Sequence, residues 1–431
     1  MTARHHLPIF FWAFFLCAIN HAGLLAQNDS LTDHRKVDFF LLPAGSYSSD
    51  FGLHYGIYGN TFIYGPWMYP EYKHSIYYEA SRYTNGQSLI LAQYDSRYFI
   101  KDHRFTAAFI WQYDPMYYFY GFNGEAEQYD NNLDKRNHNA IYNAFRRNIM
   151  ATAKIQGKIR DSIYYIFGLN YTNYQFDHFS SKKYDNDTTL YRYYHDIGLI
   201  HDDEFHGGNR FEIEAGIAYD DRDKLIAPTH GKNATLYFEV SPDFFDEGYR
   251  YIKLCAHFSH FLKLTRTDRL VFAYHVAYQG TIAGKAPFFV QQNIYTLYLN
   301  QTGSEGLGGL NTLRGLPPNR MIGDGYLWGN VELRLKLFGF HLLKRDWYVG
   351  INPFADIGLI ANPYRLDEMA SATGQSESDL RHDAMLPQAC IGMGFKLAMN
   401  ENSIFSVEIA KNIANPTSYP VTVNIGLNYI F

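Results

Sequence analysis

The chain contains 431 residues with 38 basic and 43 acidic side chains, and its formal net charge of −5 argues against a nucleic-acid-binding surface. Aromatic residues make up 18% of the sequence, including 38 Tyr and 33 Phe, an excess typical of the interface girdles of membrane proteins. Beyond the first 26 residues there is no run of about 20 apolar residues, which excludes a membrane-spanning helix in that part of the chain.

The N-terminus has the features of a secretory signal peptide over residues 1–26. Arg4 precedes an apolar stretch, Leu7 to Ile19, and small residues ending at Ala26 provide a cleavage site. The apolar stretch is short for a membrane anchor, so cleavage is favoured over retention as a helix. This interpretation leaves residues 27–36 as a short periplasmic segment, which is too small to form a domain.

From residue 37 onward the sequence predicts about sixteen β-strands. Apolar and polar residues alternate along them: in one strand, Ile213 and Ile217 lie on the face opposite Glu212 and Glu214. Short and long connections alternate, as in an outer-membrane barrel with tight periplasmic turns, long outer loops and periplasmic termini. A soluble β-sandwich, the alternative, would not need all its long loops at one end.

We therefore predict an all-β protein in which residues 37–431 form a transmembrane antiparallel β-barrel. The terminal strands are predicted to pair weakly at the seam of this barrel. The first strand, Val37 to Leu42, stops at Pro43, which cannot donate a hydrogen bond to a neighbouring strand. The last strand, Val421 to Phe431, contains Gly426, which permits a kink. The sequence leaves open whether this seam opens or forms an ordinary closed pair.

Two charged segments between strands could bind a ligand or simply face water. One is a long loop containing His195, Asp202 and His206, whose side chains could bind a metal. Their spacing matches no recognised site, so a solvated acidic loop is favoured. The other runs from Tyr219 to Lys224 and is followed by Pro228. It predicts a polar turn, with a docking surface for a periplasmic partner as the alternative.

The cysteines that remain after cleavage, Cys255 and Cys390, are too few for a disulfide framework and have no zinc-site spacing. The sequence leaves open whether they pair, and two isolated apolar cysteines are favoured. No nucleophile elbow, phosphate-binding loop or convincing catalytic triad is present in the sequence. We therefore predict no enzymatic activity, no cofactor and no metal.

The segment from Gly308 to Leu337 combines a glycine-rich loop with a strictly alternating strand. Val331 and Leu333 share the apolar face of this strand, whereas Glu332 lies on the polar face. In a membrane barrel the apolar face contacts lipid and the polar face points into the lumen. The strand therefore places a carboxylate inside the barrel, directly after a long flexible loop that carries Arg314.

A charged constellation could form between this loop and the barrel wall. Alternation places Glu332 and Asp356 on the inner faces of neighbouring strands, and the loop is long enough to bring Arg314 back to them. A guanidinium can form paired, charge-assisted hydrogen bonds with carboxylates. Spacing alone leaves open whether these three residues are partners or unrelated charges in a solvated channel.

This loop and strand resemble the signature of the BamA/TamA barrel family, also called bacterial surface antigens. In that family the loop folds back into the barrel and its arginine docks on the inner wall. The resemblance implies a lock formed by Arg314 and Gly315 of the loop and by Glu332 and Asp356 of the wall. The lock would plug and brace the barrel, so a long loop is expected inside the lumen.

The resemblance also carries expectations about the rest of the chain. Family members usually have periplasmic domains that receive client proteins, whereas residues 27–36 leave no room for one here. In the family the seam between the first and last strands opens toward lipid. The aromatic residues Tyr429 and Phe431 at the end of the last strand resemble the usual assembly signal of outer-membrane barrels.

The expected function is insertion or translocation of proteins at the bacterial outer membrane, through a plugged lumen and a lateral seam that act on proteins or lipids. The expected partners are outer-membrane lipids, and unfolded barrel clients or a separate periplasmic protein. Two alternatives remain at this point: a membrane anchor or scaffold subunit for another protein, and a passive channel. An open channel would lack the plug that the Arg314 loop implies.

Overall fold

The structure is a computed structural model, and it describes most of the chain after residue 36. The described residues are 37–48, 52–65, 72–124, 141–179, 189–224, 226–245, 247–294, 304–342, 345–366, 386–399, 403–417, 419–427 and 429–431. The predicted signal peptide and the 27–36 segment lie outside these residues. None of the helices in the described part is long and apolar enough to cross a membrane.

Sixteen of the strands form a single antiparallel sheet in which each strand pairs with its neighbour in the chain. Two further strands of two residues each, β12 and β13, pair with each other inside one loop. The strands are β1 (Val37–Ser48), β2 (Gly52–Ile63), β3 (His74–Tyr83), β4 (Ser88–Ile100), β5 (His103–Tyr118), β6 (Asn143–Arg160), β7 (Ile163–His178), β8 (Gly207–Asp220), β9 (Gly231–Ser241), β10 (Tyr251–Lys263), β11 (Leu270–Gly284), β12 (Asn293–Ile294), β13 (Ser304–Glu305), β14 (Gly325–Leu342), β15 (Arg345–Asn362), β16 (Gln388–Met399), β17 (Ser403–Asn412) and β18 (Thr422–Leu427).

Alternation along the strands separates a buried inner face from an apolar outer face. In β14, Glu332 and Arg334 are buried, whereas Val331 and Leu333 are 41% and 37% exposed. Most strands in the sheet have ten or more residues, enough to cross a bilayer when tilted. An outer face of exposed aliphatic side chains is suited to lipid rather than water.

The sheet curls into a barrel, because side chains from strands far apart in the sheet order meet on its inner side. The ring of Phe261 in β10 lies 6.1 Å from the ring of Phe431, which follows β18. The sixteen-stranded all-β barrel predicted from the sequence is therefore confirmed. Within the described residues, no backbone ladder joins β1 to β18.

The first and last strands both differ from the prediction. Strand β1 does not stop before Pro43 but continues to Ser48, with Pro43 opposite Ile57 of β2. A proline is tolerated there because β1 pairs on one side only, so a missing N–H need not interrupt the ladder. Strand β18 ends at Leu427 rather than at Phe431. The prediction of a strand through Phe431 was therefore wrong.

Long loops meet at one end of the barrel and pack into an aromatic cluster that covers the lumen. The loops carry three short helices, α1 (Leu190–Asp196), α2 (Asp202–Phe205) and α3 (Phe288–Gln291). Helix α1 begins after Thr189, whose side chain accepts a hydrogen bond from the backbone N–H of Arg192. The fully buried members of the cluster include Tyr117, Phe119, Phe122, Tyr191, Phe288 and Phe289. The connections at the opposite end of the barrel have two to ten residues.

Candidate functional site: a charged lock in the barrel lumen

The loop between β11 and β14 folds back into the barrel, and its path depends on close backbone contacts. Gly308 has φ +135°, and a Cβ there would lie 2.0 Å from the carbonyl oxygen of Pro317, so only glycine fits. The N–H of Gly309 donates to the carbonyl of Leu316 at 2.8 Å, which closes the loop tip. Leu313 and Leu316 are buried in a cluster on the inner wall. The loop tip is thus packed against the wall rather than suspended in solvent.

Arg314 extends from this tip into three carboxylates on the wall. Its Nε and Nη2 donate to the two oxygens of Asp356 at 3.0 and 2.6 Å, which is a paired contact. Its Nη1 donates to Glu332 at 2.6 Å and to Glu408 at 2.9 Å. The guanidinium also lies 3.3 Å from the ring centroid of Phe354. Every one of these side chains is buried.

Two further cations complete the charge balance of the site. Arg334 donates from Nε to the second oxygen of Glu332 at 2.9 Å, and Lys396 donates to the second oxygen of Glu408 at 2.5 Å. The cluster therefore contains three cations (Arg314, Arg334 and Lys396) and three carboxylates (Glu332, Asp356 and Glu408). A buried charge is tolerated when it is paired and hydrogen-bonded, and each member here has an ionic partner. We call these six residues the lock cluster.

The backbone of the loop is held at the same place. The carbonyl of Arg314 accepts hydrogen bonds from the hydroxyl of Thr422 at 2.6 Å and from the side chain of Asn424 at 3.0 Å. Gly315 follows, and a Cβ there would lie 2.8 Å from both the backbone nitrogen of Asn412 and the sulfur of Cys390. The loop thus touches the wall without space for a side chain, on both β16 and β17.

All four residues that the sequence assigned to the lock lie in this site, and it contains residues that sequence reasoning missed. These residues are Glu408, Arg334 and Lys396, to which the sequence analysis assigns no role. Alternation does identify all three as inner-face residues. It does not reveal that β17 curves round to meet the loop, because that depends on the shape of the whole barrel.

Residues 429–431, which follow β18, lie in the lumen, and this corrects the prediction that Tyr429 and Phe431 belong to a strand. Arg334 lies 4.1 Å from the ring centroid of Tyr429 and donates to the main-chain oxygen of Phe431 at 2.7 Å. The ring of Phe431 stacks on His275 with centroids 5.4 Å apart. These contacts bury both aromatic rings, so the segment turns inward instead of extending the ladder. We call residues 429–431 the tail.

The two seam residues also have defined places. Pro43 lies within β1, and Gly426 remains in the ladder opposite Ser406 of β17. A Cβ on Gly426 would lie 2.5 Å from a methyl carbon of Leu310, at the tip of the lumen loop. Gly426 therefore provides space for the loop against the last strand, in addition to any effect on pairing.

The turn between β8 and β9 is tightly organised, and Asp223 is its main hydrogen-bond acceptor. Its carboxylate accepts hydrogen bonds from the backbone N–H of Thr229 at 2.9 Å, from the Thr229 hydroxyl at 2.7 Å, and from the N–H of His230 at 3.2 Å. Partial burial alone would raise the pKa of Asp223. The hydrogen bonds outweigh that effect and hold the pKa below its ordinary value of 3.8.

We predict that this turn loosens in acid. Because the folded-state pKa of Asp223 is lowered, its stabilising contribution is complete above pH 3.8 and declines as the pH falls further. Hydrogen exchange at the amides of Thr229 and His230, corrected for intrinsic pH dependence, should accelerate below that pH. Asp223→Asn should show the faster exchange already at pH 7. Equal protection of both amides in the two proteins at pH 7 would contradict the assignment.

The remaining candidate positions are the acidic loop and the two cysteines. In the acidic loop, His195 contacts Asp202 at 2.8 Å, and no group of three or more possible metal-binding side chains occurs in the described part of the chain. Cys255 and Cys390 are both free and buried, which agrees with two isolated cysteines.

Comparison with known proteins gives a consistent assignment of the fold. A model of the Omp85 superfamily domain matches residues 75–422. The structure resembles BamA from Haemophilus ducreyi lacking POTRA domains 1–3, with a TM-score of 0.55 and 15% identity, over 92% of this chain and 70% of that one. It also resembles CdiB from Escherichia coli, with a TM-score of 0.54 and 11% identity, over 91% of this chain and 62% of that one.

At these identities the structural similarity concerns the fold alone, and the chain spans less than two thirds of the length of CdiB. No curated protein sequence matches the chain.

Proposed function

The chain belongs to the Omp85 superfamily of outer-membrane β-barrels, and from this premise we propose that it inserts or translocates proteins at the outer membrane through its lateral seam. In this proposal the termini lie on the periplasmic side, together with the short turns. The barrel works on polypeptide or lipid at its wall and performs no covalent chemistry. Clients that are unfolded barrels, or a separate periplasmic partner, would approach from the turn side.

The observation that carries the proposal is the filled lumen. The loop that bears Arg314 is fixed to the inner wall by buried ionic contacts, and the aromatic cluster covers the loop end of the barrel. The loop and the aromatic cluster both occupy the route that a solute would take through the barrel. The lumen is therefore a poor route for a passive channel, and a client would act at the wall instead.

The geometry of the terminal strands favours the seam as the part of the wall where a client acts. Strand β18 has six residues whereas β1 has twelve, so even complete pairing would leave half of β1 without a partner. Pro43 removes one further donor from β1. Such an edge has few hydrogen bonds to lose on opening, and it presents free backbone groups to an incoming strand.

Cross-linking of the seam tests the proposal. Cysteine pairs that join Phe39 or Leu41 of β1 to Val423 or Ile425 of β18 should form disulfides, and the oxidised protein should fail to support outer-membrane proteins after depletion of the wild type. Reduction should restore the function. A pair within one hairpin, Phe39 with Thr61, is the matched control and should leave function unchanged. Full function in the cross-linked seam variant would refute the lateral mechanism.

The same depletion distinguishes protein assembly from the role of an anchor or scaffold subunit. Loss of many barrels from the outer membrane is the result expected for an assembly protein. Loss of a single complex would instead favour an anchor or scaffold subunit. Large, steady, ohmic currents in planar bilayers would favour a passive channel, and the filled lumen leads us to expect none.

A further inference from the structure

The turn between β8 and β9, described at residues 221–224 and 226–230, is held by internal hydrogen bonds rather than being an open connection. The carboxylate of Asp223 accepts hydrogen bonds from the backbone N–H groups of Thr229 and His230. The carbonyl of Lys232 accepts a hydrogen bond from the N–H of Asp221 at 3.1 Å. Ala227 has φ +50°, a left-handed conformation that is costly for a residue with a side chain. Strain of this kind persists only where surrounding contacts hold it.

The contacts that hold Ala227 lie inside the barrel mouth. Ile226 and Ala227 pack against a buried cluster formed by Ala398 of β16, Ile404 of β17 and Tyr429 of the tail. The turn thus crosses from the β8–β9 side of the mouth to the opposite wall. Pro228 and Thr229 are buried as well, which is unusual for a turn at the end of a barrel.

The fit between the turn and the tail is close. The crevice between them has a volume of about 10 Å³, roughly the space for one water molecule. Ala227 and Thr229 line one side of it, and Arg334, Tyr348 and Tyr429 line the other. The ring of Tyr429 is therefore enclosed by the turn on one side and by the cations Arg334 and Lys396, 4.1 and 4.7 Å from its centroid, on another.

The tail could also occupy a second position, alongside β17. The last ladder pair joins Phe405 of β17 to Leu427 of β18, although β17 itself begins at Ser403. Continuing the same register would place Tyr429 opposite Ser403, so the tail could add one more residue pair to the ladder. It does not do so while its rings are held in the lumen.

We propose that the β8–β9 turn is a latch that keeps the tail folded into the lumen, and that its withdrawal lets the tail extend β18 along β17. The latch sets the length of the last strand and hence how much of the seam can be paired. Arg334 ties this device to the lock cluster, because the same guanidinium contacts Glu332 and both aromatic rings of the tail. The proposal concerns the position of the tail and stands whether or not the barrel inserts proteins.

Thiol labelling of the tail tests the latch. Ile430→Cys places a reporter in the buried tail, and the native Cys255 and Cys390 are fully buried, so background labelling should be slow. In the folded protein in lipid vesicles, adding Ile226→Ser should accelerate labelling about tenfold, because the lost apolar contact favours the released tail. Arg266→Ser, in the exposed neighbouring turn, is the matched control and should leave the rate unchanged. Equal rates in all three proteins would overturn the proposal.

A cross-link provides a second measurement if Ile226→Ser does not assemble. Ala227→Cys combined with Tyr429→Cys should form a disulfide under mild oxidation, whereas Thr265→Cys with Tyr429→Cys should not. The loop end plays no part in this test, so defects in client handling would not change its result. Failure of the first pair to form, with both proteins folded, would overturn the latch.

Discussion

Replacing Arg314 by alanine should lower the free energy of unfolding by about 3–5 kcal/mol, the usual effect of removing one partner from a buried ionic cluster. Asp356 would lose three hydrogen bonds, two from the guanidinium and one from the Arg314 backbone if the loop shifts. Glu332 would keep Arg334, and Glu408 would keep Lys396, as their remaining ionic partners in the cluster. The remaining site would carry three carboxylates and two cations in a buried space.

The substitution Arg314→Lys tests whether geometry or charge is responsible. A lysine retains the positive charge, but it cannot form the paired contact with Asp356 while also reaching Glu332 and Glu408. We therefore expect Arg314→Lys to lower the free energy of unfolding by less than Arg314→Ala does. The decrease should still be well above that of a substitution on the protein surface. Urea unfolding of the barrel in detergent micelles, followed by the heat-modifiable mobility of the folded form on gels, would measure both.

Arg160→Ala is the matched control for these variants. Arg160 also contacts a carboxylate, that of Asp161, but its side chain is 83% exposed. Exposed ion pairs contribute about 0–1 kcal/mol, so this variant should unfold close to the wild type. If Arg314→Ala were no less stable than Arg160→Ala, the lock cluster could not be the brace that we describe.

The second large effect is expected at Gly315. A valine there would place its Cβ 2.8 Å from the backbone nitrogen of Asn412 and from the sulfur of Cys390, and backbone cannot move aside cheaply. Overpacking typically costs about 1–3 kcal/mol, and here it would also lift Arg314 away from its carboxylates. We expect the free energy of unfolding to fall by nearly as much as in Arg314→Ala. The loop should also leave the wall and become free within the lumen.

The loop position can be measured separately from stability. Limited proteolysis of the folded Gly315→Val barrel should cut the loop between β11 and β14, whereas the wild type should resist. Gly339→Val is the control, because Gly339 lies on an exposed part of β14, far from the lumen loop, and a Cβ there has one tight neighbour at 3.3 Å instead of the 2.8 Å contacts at Gly315. Equal resistance of the two variants would mean that the loop tolerates a side chain at Gly315, against the observed contact.

Local alternation was sufficient to predict the strands and the direction of most side chains. Val331 faces outward and Glu332 inward because successive side chains on a strand point to opposite faces, whatever the rest of the chain does. The same rule placed Asp356 inside the barrel, and the resemblance of the Gly308–Leu337 segment to a known family linked it to Arg314. These inferences need only neighbouring residues or a recognisable motif.

The ends of the terminal strands could not be predicted in this way. Alternation continues from Val421 to Phe431, yet Tyr429 and Phe431 leave the ladder because Arg334 and His275 lie across the lumen to receive them. Pro43 likewise predicts that the first strand ends before it, although a strand at the edge of a sheet can contain a proline. For the tail, contacts across the lumen override the local pattern; for Pro43, the position of β1 at the edge of the sheet does.

By itself, the sequence determined the class of fold and the inner and outer faces of the strands. It also identified Arg314 and two of its carboxylate partners, Glu332 and Asp356. Only the tertiary structure decided that Glu408, Arg334 and Lys396 join them, that the tail turns inward and that Ile226 and Ala227 of the β8–β9 turn pack against it. The physical reason is distance along the chain: alternation acts between adjacent residues, whereas closure of a curved sheet brings together side chains about a hundred residues apart or more.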